Sequence, residues 1–98
     1  MWVKIQKSYR YVVAICDSSL LGRKFEEGQF QLDVKESFYK GEETSKDKAI
    51  KLLRDMVMED ATFNIVGREA TDTALEAGII TKESIGTIQG VPFTLILL

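Results

Sequence analysis

The segment that decides the fold is Tyr11–Cys16, whose sequence YVVAIC is apolar at every position. A strand with apolar side chains on both faces is typical of the middle of a sheet that is covered on both sides. The preceding segment, Trp2–Lys7, alternates between apolar and polar residues, as a half-buried strand does. Only three residues link the two segments, which is too short for a crossover, so we expect an antiparallel hairpin.

Further along the chain, residues 29–34 alternate strictly and indicate another strand, with Phe30, Leu32 and Val34 facing inward. Two helices are expected, over residues 45–58 and 66–77, with a turn at residues 58–63 between them. Thr44 or Ser45 would cap the first helix, whereas Asp17 or Ser18 would cap a single turn after the central strand. Residues 93–98 are β-prone and continuously apolar, which predicts a final strand covered on both faces.

These elements predict a single α+β domain over residues 1–98. Its small, mostly antiparallel sheet of four or five strands would pack against two helices. The most buried residues should include Phe30, Leu32, Val34, Leu52, Leu53, Met56, Leu75, Leu95 and Leu97.

Histidine is absent from all 98 residues, and cysteine occurs once, at Cys16. The catalytic and zinc-binding arrangements that need histidine or several cysteines are therefore excluded, and we expect no cofactor. Carboxylates are plentiful, but no spacing singles out a catalytic pair, so enzymatic activity stays an open alternative. The unpaired cysteine and the lack of a signal peptide or membrane span favour the cytosol.

Positive charge is concentrated near the start of the chain. Residues 1–24 hold five bases and one acid, whereas residues 42–98 hold six bases and ten acids. Bases interleaved with tyrosines are typical of surfaces that bind RNA. We therefore expect Lys7, Tyr9, Arg10, Arg23 and Lys24 to contact RNA or a ribonucleoprotein, as one patch if the two basic segments lie at the same end of the sheet. The alternative is a solvated hairpin tip.

Two other segments are candidate sites. The start of the second helix, with Asn64, Gly67 and Arg68, could bind an anion such as phosphate, because helix N-termini present unpaired N–H groups. The alternative is that Asn64 caps the helix or that Gly67 avoids a clash. Phe38 and Tyr39 are adjacent aromatics in a loop, so one of them could contact a protein partner, including a second copy of the chain in a homodimer. The alternative is that both anchor the loop.

Several blocks in this order resemble the archaeal family known as domain of unknown function 424. The blocks are Leu20-Leu21-Gly22, Glu27-Gly28, Ser37-Phe38-Tyr39 with Gly41, Asn64-Ile65-Val66-Gly67 followed by Glu69-Ala70, and Gly90-Val91-Pro92. The resemblance covers nearly the whole chain and implies a small archaeal cytosolic protein in a translation context. It supplies no catalytic residue. Some members have histidine where this chain has Phe93, so the resemblance does not support acid–base chemistry there.

Overall fold

The computed structural model of the protein describes residues 1–97 and places the Tyr11–Cys16 segment inside a six-stranded mixed sheet. The helices are α1 (Glu36–Tyr39), α2 (Lys46–Met58) and α3 (Arg68–Ala77), and there are short 3-10 turns at Ser18–Leu20 and Lys82–Ser84. The strands are β1 (Trp2–Lys7), β2 (Tyr11–Cys16), β3 (Lys24–Glu27), β4 (Phe30–Asp33), β5 (Glu42–Glu43), β6 (Thr62–Val66), β7 (Gly86–Ile88) and β8 (Val91–Ile96).

The main sheet has the strand order β5-β1-β2-β6-β8-β7, and β3 and β4 form a separate hairpin. The predicted β1–β2 hairpin is confirmed, with Trp2 opposite Cys16 and Lys7 opposite Tyr11. The α+β class is also confirmed, but the main sheet has six strands and is larger than the predicted four or five. The segments that form β3, β5 and β6 were not predicted as strands. Of these, β6 runs parallel to β2. Parallel pairing requires a long crossover, and residues 17–61, which include α2, connect the two strands.

The two faces of β2 point into two different cores. Val13 and Ile15 face α2 and α3, and they are completely buried together with Leu53 and Phe63. Ala14 and Cys16 face the opposite side, where the β3–β4 hairpin and α1 cover them. Burial on both faces is what the apolar sequence of this strand predicted.

Helix α2 begins at Lys46, one residue after its expected boundary. Ser45 caps it, since its side chain accepts a hydrogen bond from the N–H of Lys48 at 3.4 Å. Helix α3 begins at Arg68, two residues later than expected, since residues 62–66 belong to β6. Within the described residues, no helix has the length and apolar character needed to cross a membrane.

The predicted burial is only partly confirmed. Val34, Leu53 and Met56 are buried, whereas Leu32, Leu52 and Leu75 are half-buried. Phe30 was expected to point inward but is 72% exposed, since it lies beside the β3–β4 turn, whereas Leu32 and Val34 further along pack in the second core.

The end of β8 was expected to be covered on both faces, which is wrong. Leu95 is 53% exposed and Leu97 is 75% exposed. On their face of the sheet, the β3–β4 hairpin packs near Val66 and Phe93, toward the other end of β8. Leu98, which was part of the predicted strand, lies outside the described residues.

The difference between buried Leu53 and exposed Leu95 gives a test of the fold. The change Leu53→Ala should lower the free energy of unfolding by about 2–5 kcal/mol, since it leaves a cavity between α2 and the sheet. Leu95→Ala, the matched control, should cost less than about 1 kcal/mol. Urea denaturation followed by circular dichroism measures both, and equal costs would contradict the described packing.

Candidate functional site

The tip of the β1–β2 hairpin presents an aromatic side chain between two basic residues. Tyr9 is fully exposed, and Lys7 and Arg10 lie on either side of it in the sequence. The ammonium group of Lys7 lies 4.8 Å from the centre of the Tyr11 ring, so a cation–π contact orients it. The tip therefore combines an aromatic surface that is free to stack with nearby positive charge.

Two acidic residues after α2 share this region. Glu59 and Asp60 line a shallow cavity of about 320 Å³ together with Lys7, Tyr9 and Arg10. Asp60 has a positive φ of 55°, a conformation that aspartate and asparagine tolerate better than most residues. Because these carboxylates lie beside the bases, they reduce the positive potential at the tip.

Arg23 and Lys24 do not join this group. The N–H of Leu20 donates to the carbonyl of Asp17, and the N–H of Arg23 donates to the carbonyl of Leu20, so the chain makes two tight turns directly after β2. The tip lies at the other end of β2, and a six-residue strand spans roughly 20 Å. The two basic segments therefore lie at opposite ends of β2 and do not form the single patch that the sequence analysis considered.

The charges of these two residues also have local partners. The guanidinium of Arg23 lies 5.0 Å from the centre of the Phe25 ring, and Lys24 pairs with Glu26 at 3.7 Å. We therefore retain only Lys7, Tyr9 and Arg10 as candidate RNA contacts.

The start of α3 is occupied by a carboxylate of the chain itself. The Asp17 side chain accepts hydrogen bonds from the N–H of Glu69 at 3.1 Å and from the N–H of Ala70 at 2.8 Å. Gly67 has a φ of 109°, and a Cβ there would overlap the Asp17 carboxylate. Asp17 thus caps α3 across 52 residues of sequence. Its side chain does not cap the turn at Ser18–Leu20, where the sequence analysis had placed Asp17 as a candidate cap.

This contact changes the interpretation of the predicted anion site. Asn64 lies inside β6, opposite Ala14 and Leu95, and does not cap the helix. Arg68 is exposed as the first residue of α3. An external phosphate would have to displace Asp17 from two of the N–H groups that made the site attractive, so we do not carry the anion hypothesis forward.

The aromatic pair of the 36–41 segment anchors α1 to the sheet. Tyr39 is buried and Phe38 is half-buried, with ring centres 5.1 Å apart in an edge-to-face arrangement. The prediction that this segment presents an aromatic to a partner is therefore wrong for Tyr39, which lies in the core next to Val34 and Val66. Adjacent aromatics point in opposite directions only in extended backbone, and this segment is helical.

The cysteine and the carboxylates are the remaining candidates for reactive groups. Burial raises the pKa of the Cys16 thiol to about 12, so the thiol stays protonated near neutral pH and is a poor nucleophile. Within residues 1–97, no three acidic or cysteine side chains lie close enough together to hold a metal ion.

Comparisons with known proteins agree with the resemblance seen in the sequence. The profile of the family described as "Protein of unknown function (DUF424)" matches residues 6–98, and the chain belongs to this family. A crystal structure of an uncharacterized conserved protein from Methanopyrus kandleri is similar, with a TM-score of 0.87 and 29% sequence identity. The match covers 97% of this chain and 88% of that one. No curated protein matches the chain.

The Asp17 contact leads to a stability prediction. Asp17→Ala should lower the free energy of unfolding by about 1–2 kcal/mol, because it leaves two N–H groups at the start of α3 without their acceptor. Asp72→Ala, on the exposed side of the same helix, should change it by less than about 0.5 kcal/mol. Thermal unfolding measures both variants. If Asp17→Ala unfolds like the wild type, the carboxylate does not hold the helix.

Proposed function

We propose that this member of the DUF424 family is a non-catalytic, cytosolic module that binds unpaired RNA within a ribonucleoprotein of the translation machinery. The contacts assigned to RNA are Lys7, Tyr9 and Arg10 at the hairpin tip. The observation that carries the proposal is the full exposure of Tyr9. A fully exposed aromatic ring can stack on an unpaired nucleobase, while the neighbouring basic side chains contact phosphates.

The other candidate functions have less support. A small-ligand site at the start of α3 would compete with the internal carboxylate of Asp17. An enzyme would need a nucleophile or acid–base groups held together at one site. The thiol of Cys16 is buried with a raised pKa, and within residues 1–97 no three acidic or cysteine side chains form a cluster that could hold a metal ion. A partner site at Phe38 and Tyr39 would require exposure that Tyr39 lacks.

The acids beside the tip set the expected strength of binding. The whole chain carries a net charge of −2, and Glu59 and Asp60 lie in the same cavity as the three proposed contacts. Binding to RNA should therefore be weak, should be confined to the tip and should fall as the salt concentration rises.

The test uses a short fluorescent oligouridine and measures binding by anisotropy at low salt. Tyr9→Ala should weaken binding about tenfold through lost stacking, since a base stacked on an aromatic ring contributes roughly 1–3 kcal/mol. The double change Lys7→Ala with Arg10→Ala should weaken binding and flatten its salt dependence. Removing the same number of charges from the other end of β2, with Arg23→Ala and Lys24→Ala, provides the matched control.

The opposite change should strengthen binding. Glu59→Gln with Asp60→Asn removes two negative charges and keeps the side-chain shapes, and asparagine suits the positive φ at position 60. RNA affinity should rise in this variant. If both sets of tip variants bind like the wild type, or if only the Arg23–Lys24 control loses binding, the hairpin tip is a solvated turn and the proposal fails.

A further inference from the structure

The outer edge of β1 is open over most of its length. Strand β5 pairs only with Trp2 and Val3. The chain leaves the edge at Gly41, which lies so close to the backbone of Val3 and Lys4 that a Cβ would overlap it. Beyond this point, Ile5 to Lys7 pair with β2 on the inner side, and no described strand pairs with them on the outer side.

The register determines which backbone groups point outward. The N–H of Thr44 donates to the carbonyl of Met1 at 2.8 Å, which makes Trp2 and Glu43 a pair without mutual hydrogen bonds. The N–H and C=O groups of the odd-numbered residues of β1 therefore point away from β2. At Ile5 and Lys7, these groups face the open edge.

The open edge borders an apolar groove. A cavity of about 400 Å³ lies between β1 and α2, and Val3, Ile5 and Leu52 form its apolar lining. Ile5 is 40% exposed although it lies on the face of the sheet that carries the main core. An apolar side chain placed opposite Ile5 would contact both Ile5 and Leu52.

The charges along this edge are mainly positive. Lys4 and Lys7 lie on β1, and the ammonium of Lys4 donates to the carbonyl of Ser37 at 2.7 Å while keeping its positive charge at the edge. The ammonium of Lys40 lies 5.7 Å from the centre of the Trp2 ring.

Glu59 and Asp60 lie beside Lys7 at the hairpin end of the edge, and the two acids of β5 have partners of their own. Glu42 lies 3.7 Å from Lys48, and Glu43 lies 3.2 Å from the terminal ammonium of Met1. An acidic strand would therefore complement this edge.

These charges disfavour pairing with a second copy of the chain. Lysines on edge strands are a common protection against self-association. Because β5 already occupies Val3, two-fold pairing of β1 with itself would be limited to Ile5–Lys7 and would bring lysines of both copies to one seam.

We propose that the β1 edge binds an extended acidic segment of a partner protein, which adds to the sheet as an antiparallel strand beyond β5. Main-chain hydrogen bonds to Ile5 and Lys7 would hold the segment, and its apolar side chains would enter the groove at Ile5 and Leu52. Its acidic side chains would lie on the opposite face of the sheet, beside Lys4 and Lys40. This surface adjoins the proposed RNA contacts at Lys7, so the protein could link an RNA to a protein partner.

The probe is a synthetic peptide of alternating valine and glutamate, titrated to millimolar concentration into the ¹⁵N-labelled protein. The amide signals of Ile5 and Lys7 should shift, and their exchange with solvent should slow. Two N-methylated peptides separate strand addition from looser contact. In antiparallel pairing, the residue opposite Ile5 directs its own N–H toward β1, so methylation at the valines should abolish binding and methylation at the glutamates should preserve it.

Matched variants test the groove. Ile5→Thr keeps a β-branched residue and should weaken peptide binding about fivefold, because it removes apolar contact. Val57→Thr, at a site on α2 with the same 40% exposure, should not change binding. Three results would overturn the proposal: no shifts at Ile5 and Lys7, equal tolerance of both methylation patterns, or a peptide-independent dimer that protects the same two amides. None of them bears on RNA binding at Tyr9, which uses a separate probe.

Discussion

The parallel pairing of β2 with β6 is the constraint on which the rest of the structure depends. Five residues of each strand lie side by side, from Val12 opposite Thr62 to Cys16 opposite Val66. Parallel neighbours cannot be joined by a tight turn, so the intervening chain must return across a face of the sheet, and α2 does so. Both strands are then buried between two cores, one against α2 and α3 and one against the β3–β4 hairpin.

This pairing also gives the two ends of the sheet different characters. The carboxyl ends of β2 and β6 lie together, which brings Asp17 to the start of α3 and closes that end with an internal carboxylate. In open α/β sheets, ligands commonly bind at this end. Here the polar groups bond to one another, and the exposed Tyr9 lies at the opposite end with the bases beside it.

Local patterns predicted the parts of the fold that depend on neighbouring residues. The apolar run Tyr11–Cys16 indicated a strand covered on both faces, and Ser45 marked the start of α2. Strand β6 was missed because residues 62–66 follow a helix directly and their apolar pattern resembled the beginning of the next one. Phe30 was misplaced because alternation identifies the inward face of a strand without showing how much of that face is covered.

The candidate sites were harder to predict, since each depends on contacts between distant residues. Nothing near Gly67 in the sequence signals that Asp17 fills the start of α3. Similarly, the separation of Lys7 from Arg23 follows only from knowing that the two turns flanking β2 lie at its opposite ends. The exposure of Tyr9 could be anticipated, because a three-residue hairpin link leaves little chain to cover a side chain.

The open edge of β1 could not be anticipated at all. It exists because β5 is only two residues long, and so short a strand leaves no recognisable pattern in the sequence. Edge positions depend on where neighbouring strands end, which is a property of the assembled sheet.

We propose that RNA binds at the hairpin end of β2 and not at the Asp17 end. Amide chemical-shift mapping with a short unlabelled oligouridine tests this most directly, because one titration reports on both ends of the sheet at once. We expect salt-sensitive shifts at Lys7, Tyr9 and Arg10, with the signals of Arg23, Lys24 and Gly67 to Ala70 unchanged. Shifts confined to Arg23 and Lys24, or to the start of α3, would contradict it.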